Sequence, residues 1–348
     1  LVLYINYALR PLKRKLDLPE TVQLEQAHSI IKNQDNVDAN FALLGDKHLM
    51  WSENKISFIM FGVQGRSCIA LGDPVGSDSE AYELLWQFKQ QAEDNRSKPA
   101  FYQVGSDHLD WYINAGFSLY KLGEEAQISL DEFSLEGSKR SKLRQSHNRA
   151  QRDGLIFKLE FPPYSSDLLD LLESISNDWL NAKGAREKGF SLGKFDRDYL
   201  QNFPLALVYE NDELTAFANV LTTNTRIESS IDLMRHKESA SDATMEFLFI
   251  EIMLAMQAKG YRTFSLGMAP LAGLESRKGA SKWDKFGSLI YRSGGDFYNF
   301  DGLRKFKDKF KPEWKPKYLA INKGANPYLT MVDIAALISG DILGVIKK

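Results

Sequence analysis

Asp232 and Arg235 stand three residues apart near the end of a run, Arg226 to Met234, that alternates in strand fashion. Residues 227, 229, 231 and 233 are apolar or small, which puts Asp232 on the other face with Glu228 and Ser230. A carboxylate there can orient an amino group or a hydroxyl. Arg235 can hold a phosphate, or it can simply pair with Asp232 as an ordinary ion pair. Farther along, Lys307 lies in the segment Arg304 to Lys317, which holds nine charged residues, seven of them basic. Phe306, Phe310 and Trp314 recur every four residues, although Pro312 stops a helix before Trp314. The aromatics are expected to pack the start of this segment onto the domain and leave its cations facing an anionic partner. Taken singly, most of these lysines also suit a packed surface helix. Lys307, next to the aromatic stripe, is placed to be held inward, where an ammonium can stabilise an oxyanion.

A second basic run, Lys139 to Arg152, carries six Lys or Arg and no acid. On a helical wheel only Leu143 and Ala150 form an apolar seam. One sign of charge around a helix is costly unless phosphates neutralise it. Arg140, Lys142, Arg144, Arg149 and Arg152 are therefore candidates for contact with RNA or lipid phosphate. The alternative is a connector helix with a solvated face.

Other chemistry is excluded. The five histidines show no metal-ligand spacing, and neither a nucleophile elbow nor a phosphate-binding P-loop is present. Cys68 lies in an apolar strand and reads as packed. No metal and no cofactor is expected. One cysteine rules out a disulfide framework and a thiolate zinc site, and suggests a reducing compartment. The 44 Lys and Arg against 46 Asp and Glu exclude a uniformly basic nucleic-acid binder, so any polyanion contact must come from local clusters. With 43% hydrophobic residues the chain is globular, and 348 residues suit two domains.

The elements needed to position these groups form two similar series. In the first, a helix near Thr21 to Lys32 precedes strands at Ser57 to Ile59 and Cys68 to Leu71. A helix from about Ser79 to Glu93 follows, with apolar residues at 81, 84, 85 and 88. Then come a strand at Ala100 to Val104, a short helix Leu109 to Ala115, and strands at Ser118 to Leu122 and near Ala126 to Leu130. In the second, a helix from about Ser166 to Ala182 leads to a hairpin, Ala206 to Tyr209 and Leu214 to Leu221. The strand Arg226 to Met234, a helix Asp242 to Lys259 capped by Ser241 or Asp242, and the strand Thr263 to Leu266 complete it.

Helix, hairpin, strand, helix, strand is the order of the acyltransferase fold whose best-known members use acetyl-CoA (the GNAT plan). Its repetition predicts an α/β (α+β) tandem GNAT-like fold, two mixed sheets flanked by helices and joined by a basic helix. The expected divisions are 1–20 (membrane-proximal stub), 21–137 (first domain), 138–160 (connector), 161–325 (second, catalytic domain) and 326–348 (apolar C-terminal helix). Acetyl-CoA itself fits poorly. The stretch Arg235 to Ser241, where a glycine-rich turn would cradle pyrophosphate, contains no glycine, and Gly72 to Ser79 carries Asp73 and Asp78.

No stretch reaches the roughly 18–20 apolar residues that span a bilayer. Leu1 to Leu9 are apolar apart from Asn6 and run into Arg10, Lys13, Arg14 and Lys15, as a chain cut just past a membrane helix would. A short surface helix with a basic end is the plainer reading. Met331 to Ile346 reads as a docked apolar helix.

Three segments together resemble one family: Ile231-Asp232-Leu233-Met234-Arg235, the strand exit Leu266 to Leu271, and the tail Phe297-Tyr298-Asn299-Phe300-x-Gly302-Leu303-Arg304-x-Phe306-Lys307-x-Lys309-Phe310-x-Pro312-x-Trp314. They are similar to the C-terminal domain of the multiple peptide resistance factors, bacterial aminoacyl-phosphatidylglycerol synthases. The resemblance covers essentially the whole chain. It implies a domain at the cytoplasmic face of the cell membrane, carried by an N-terminal transmembrane domain. It implies transfer of alanine or lysine, alanine being favoured, from aminoacyl-tRNA to a hydroxyl of phosphatidylglycerol, with resistance to cationic peptides as the result. Asp232, Arg235 and Lys307 are then the catalytic residues, Met268, Tyr298 and Arg304 substrate-binding, and the basic connector tRNA-binding. Two other readings stay open: aminoacylation of a cell-wall peptide, and a non-catalytic membrane-tethered tRNA-binding module.

Overall fold

The computed structural model describes residues 16–275, 277–285, 287 and 300–340. Helix α1 (Thr21–Ile31) starts with a capping box between Glu20 and Gln23 and leads into a 3₁₀ segment, Asp38–Leu44. Strands β1 (His48–Trp51), β2 (Phe58–Gln64) and β3 (Ser67–Leu71), helix α2 (Asp78–Asp94), β4 (Lys98–Val104), α3 (Leu109–Asn114) and β5 (Phe117–Ser129) follow. The basic connector is helix α4 (Ser141–Arg152). Beyond it run β6 (Leu155–Glu160), α5 (Ser166–Lys183), α6 (Arg197–Leu200), β7 (Leu205–Glu210), β8 (Glu213–Thr222) and β9 (Glu228–His236). The chain ends with α7 (Thr244–Ala258), β10 (Thr263–Pro270), α8 (Phe300–Asp308), β11 (Glu313–Asn322) and α9 (Pro327–Ser339).

The duplicated plan is present. In the first half, antiparallel β2 and β3 are followed by α2, which crosses over to lay β4 parallel to β3. In the second, β7, β8 and β9 are antiparallel and α7 crosses over to lay β10 parallel to β9. The expectation of two sheets is corrected: among the described residues all strands join one 11-stranded sheet in the order β1-β2-β3-β4-β11-β5-β10-β9-β8-β7-β6. The halves fuse by exchanging their last strands. β5, from the first half, pairs with β10, while β11, from the end of the chain, lies between β4 and β5. Edge N–H and C=O groups that each half would leave unpaired are thereby satisfied by the other.

Strand β11 replaces part of the expected basic tail. It takes in Glu313 to Lys317 of that tail and runs on beyond it into Leu319, Ala320 and Ile321, which are fully buried. Pro316 is accommodated because it precedes Tyr318, where pairing with β4 begins, so one side of the strand is still free there. The strands expected at 118–122 and 126–130 are one 13-residue strand. Gly123 marks a close approach instead of a turn: a Cβ there would lie 2.4 Å from the Ala269 carbonyl on β10.

Helices cover the sheet. The α2 residues Ala81, Leu84, Leu85 and Phe88 are buried, as their period requires. Helix α7 buries Phe247, Leu248, Ile250, Ile252 and Met253 almost completely, each such side chain contributing about 1.5–3 kcal/mol. Its start is Ala243 with no side-chain cap; Ser241 Oγ accepts only from the Ala243 N–H, at 3.3 Å. As expected, Phe306 and Phe310 pack on Phe249 of α7. The helix expected over Met331 to Ile346 is α9, which stops at Ser339 with Gly340 in the left-handed region at φ 81; residues 1–15, on which the expected apolar stub falls, and 341–348 lie outside the described residues. Among the described residues no helix is long and apolar enough to cross a membrane.

Candidate active site

Parallel strands β9 and β10 pair only through Glu228–Ser230 and Thr263–Ser265. At the last rung Ser230 Oγ donates to the Ser265 carbonyl at 3.0 Å, and beyond it the strands part. β9 carries Asp232 and Arg235 along one limb of this fork. β10 shifts register against β5 between Ser265 and Met268, with Gly267 at φ 77, and forms the other limb.

The simple alternation read for β9 breaks at a bulge. Ala218 pairs with Met234 and Val220 with Ile231, so Asp232 and Leu233 together face Asn219. Asn219 Oδ1 accepts the Leu233 N–H at 2.8 Å and pins the bulge from the core. The bulge re-aims Asp232. Its Oδ1 accepts the Gly193 N–H at 2.6 Å and its Oδ2 accepts the Tyr199 hydroxyl at 2.9 Å. Burial pushes the Asp232 carboxyl up to about 6, against the hydrogen bonds from Tyr199 and Gly193 and the charges of Lys47 and Arg235. Burial also raises the Tyr199 phenol well above its ordinary value, with Asp232 adding to the effect.

Arg235 does not pair directly with Asp232. Its guanidinium bonds Glu187 at 3.1 Å and stacks over Trp179 at 4.3 Å, while Nε is buried with no hydrogen-bond partner among the described residues. Burial lowers its pKa, opposed chiefly by Glu187. Its charge still reaches Asp232.

Lys307 is held inward, on the β10 limb. It is 5% exposed and donates to the carbonyls of Gly267 at 2.8 Å and Met268 at 3.0 Å. Burial lowers the ammonium to about 8, and the Glu125 charge works the other way. Among the described residues Lys307 forms no hydrogen bond or ion pair with Asp232 or Arg235: it is held against the β10 limb, whereas those two belong to the β9 limb. Met268 contributes its backbone carbonyl and packs its side chain against a core that residues of both halves share. Arg304 bonds Glu124 at 2.9 Å and lies over Trp314. Tyr298 lies outside the described residues.

Below the fork is a buried network that the sequence reading missed. Lys317, expected to face an outside anion, is 5% exposed and pairs with Asp38 at 3.2 Å and Glu125 at 3.5 Å. Burial opposes its charge, but the carboxylates of Asp38, Glu125, Asp73 and Glu228 outweigh it and raise its pKa. Glu228 accepts from the Val37 N–H and from Gln127, and burial, reinforced by Asp38 and Glu125, raises its pKa to about 8. Tyr199, Lys47, Glu187 and Glu125 also escaped the sequence reading. Only Asp46-Lys47, an opposite-charge pair ahead of an apolar run, left a local trace. In the first half, Asp73 is occupied structurally, accepting from the Gly105 N–H and Tyr112 hydroxyl.

Helix α4 divides its cations. Lys142, Arg149 and Arg152 are exposed, and a groove of about 580 Å³ lined by Gln145, Asn148, Gln151 and Arg152 runs beside them. Arg140 instead donates to the Phe310 carbonyl, and Arg144 to those of Leu135 and Gly137. The inner seam holds Leu143 and Ala150 and also His147, which bonds Glu251 at 2.7 Å and stacks on Phe247.

Residues 28–321 match the family described as phosphatidylglycerol lysyltransferase, C-terminal. The chain is 35% identical over 328 residues to a phosphatidylglycerol lysyltransferase of Bacillus subtilis, covering 94% of this chain but 38% of that protein. Among solved structures it resembles the C-terminal DUF2156 domain of an Agrobacterium fabrum protein described as a lysylphosphatidylglycerol synthetase. Identity is 43% and TM-score 0.84, with 92% of this chain and 97% of that chain covered. It also resembles L-PGS from Bacillus licheniformis, at 34% identity and TM-score 0.81, over 94% of this chain and 99% of that one. With its tandem acyltransferase architecture and these matches, the chain belongs to the phosphatidylglycerol lysyltransferase C-terminal domain family.

Proposed function

We propose that the chain transfers an aminoacyl group from aminoacyl-tRNA to a glycerol hydroxyl of phosphatidylglycerol by direct transesterification. The observation that carries this reading is the fork between β9 and β10, with the Asp232 carboxylate on one limb and the Lys307 ammonium on the other. The lipid hydroxyl oxygen attacks the aminoacyl ester carbon, a new ester forms, and the bond to the tRNA ribose oxygen breaks. Asp232 takes the hydroxyl proton or orients the donor amine. Lys307 stabilises the carbonyl oxygen as it gains charge, or gives a proton to the departing ribose oxygen. Ester replaces ester, so the exchange is nearly thermoneutral and needs no nucleotide triphosphate.

Arg235 is the proposed anchor for a lipid or adenosine phosphate. Glu187 and Trp179 hold its guanidinium flat, which suits a fixed anchor. The exposed cations of α4 are the proposed tRNA contact, and α9, with Leu329 and Val332 exposed, a proposed membrane contact. In the intact protein an N-terminal transmembrane domain would hold the chain at the cytoplasmic face of the membrane. Alanine is the amino acid favoured by the overall resemblance, whereas the Bacillus subtilis relative is named a lysyltransferase, which supports lysine.

Radiolabelled alanyl- and lysyl-tRNA, each incubated with the chain and phosphatidylglycerol vesicles, test the reading. Labelled lipid should form with one donor and fall about 10²-fold or more in Asp232→Ala and Lys307→Ala. Both variants staying within about threefold would refute these roles.

A further inference from the structure

The segment Glu187 to Tyr199 lies against the β9 limb of the fork and is tied at both ends and in the middle. Glu187 holds Arg235, and the Gly193 N–H and Tyr199 hydroxyl hold the two oxygens of Asp232. Between them the Phe190 N–H donates at 3.0 Å to Oδ2 of Asp46, which comes from the first half of the chain. Both carboxylates occupy space that a side chain would fill. A Cβ on Gly189 would lie 2.9 Å from Asp46 Oδ2, and one on Gly193 would lie 1.8 Å from Asp232 Oδ2. Phe190 is buried in the left-handed region at φ 60, so the turn is held against its own backbone preference. Behind Asp46, Lys47 is 0% exposed and bonds Asp46 Oδ1 at 2.5 Å. Burying an ammonium for a single pair gives little net stability.

We propose that Lys47 and Asp46 are positioning residues for the transfer centre: the pair anchors the 189–193 turn, and that turn holds the Asp232 carboxylate. The inference rests on the reading that Asp232 takes part in aminoacyl transfer. The first half of the chain thereby supplies part of the support for the site on the second. Facing Asp232 are Tyr199, Arg235 and Lys47; Asp46 and Lys194 act on Lys47, and Glu187 on Arg235. Lys47 favours the ionised carboxylate, so its removal makes Asp232 harder to ionise.

The test measures the pH dependence of transfer to phosphatidylglycerol vesicles. In Lys47→Met, kcat should fall about tenfold with KM within about twofold. The acid limb should move up by about 0.5 pH unit or more, and Lys47→Arg should return it toward wild type. Gly189→Ala, which crowds Asp46 without changing charge, should lower kcat and leave the limb in place. The double variant Lys47→Met/Asp46→Asn removes both charges and keeps an acceptor for the Phe190 N–H. It carries the test if Lys47→Met fails to fold: its kcat should also fall, and because the two lost charges act on Asp232 with opposite signs its limb should move less than in Lys47→Met. A folded Lys47→Met or double variant with wild-type kcat and an unmoved limb would overturn the proposal. An active Asp232→Asn would instead sink the underlying reading of the transfer centre, whatever Lys47 does.

Discussion

Tyr199 donates its hydroxyl to Asp232 Oδ2 at 2.9 Å, although the two residues lie 33 positions apart on different elements. With the Gly193 N–H on Oδ1, this bond leaves the carboxylate one orientation. The role proposed for Asp232 as proton acceptor calls for such a fixed carboxylate, since misplacing a reacting group costs rate steeply.

The Asp232 environment should show in stability with a defined sign. Its folded pKa, about 6, is above the ordinary 3.8, so the native state binds the extra proton between those values. Folding is therefore helped at low pH, and that help is lost as pH rises through about 4 to 6. Asp232→Asn should melt higher than wild type at pH 8, show no such gain at pH 4, and be inactive at both. Thermal melts at the two pH values check this; a lower melting point at pH 8 would contradict it.

Lys307 should set the alkaline limb of the transfer rate. If its ammonium is the working form, activity falls as pH rises through about 8. Lys307→Arg should not restore activity, because a planar guanidinium cannot occupy the seat between the Gly267 and Met268 carbonyls. A rate profile flat from pH 7 to pH 10 would count against the assignment.

The two sets of cations on α4 should behave differently. Replacing exposed Lys142, Arg149 and Arg152 with Gln should weaken tRNA binding and reduce the salt slope by about 0.7–0.9 for each phosphate that is no longer neutralised. Arg144→Gln, which gives up its bonds to the Leu135 and Gly137 carbonyls, should cost about 1 kcal/mol of stability and barely change the slope. Filter binding across a salt series, with urea unfolding alongside, separates the two effects.

Lys317→Met should be among the most destabilising single changes, at about 3–5 kcal/mol, because it strands Asp38 and Glu125 in a buried site. Urea unfolding at pH 7 reads this directly. A loss below about 1 kcal/mol would mean the network is not acting as a unit.

Much of the architecture was readable in the residue pattern. The period of α2, the hairpin β7–β8 and the crossover helix α7 all follow from local spacing of apolar side chains, a property each segment carries by itself. Lys307 was readable as an inward cation for the same reason, since Phe306 and Phe310 commit that face of α8 to the core. The single sheet was not readable. Strand β11 went unread in the run of charges before it, and nothing in its apolar stretch 319–321 names β4 and β5, far back in the chain, as its partners.

The chain's own sequence therefore determined most of the helices and strands, the doubled plan, and which charged side chains belong to the candidate site. Tertiary structure alone decided that the last strands are exchanged, that Lys317 turns inward, that Glu187 and not Asp232 takes Arg235, and that Lys47 reaches the site from the other half. The reason is physical. Periodicity is set by backbone geometry over a few residues, whereas pairing partners and the burial of a charge depend on which distant groups the folded sheet brings together.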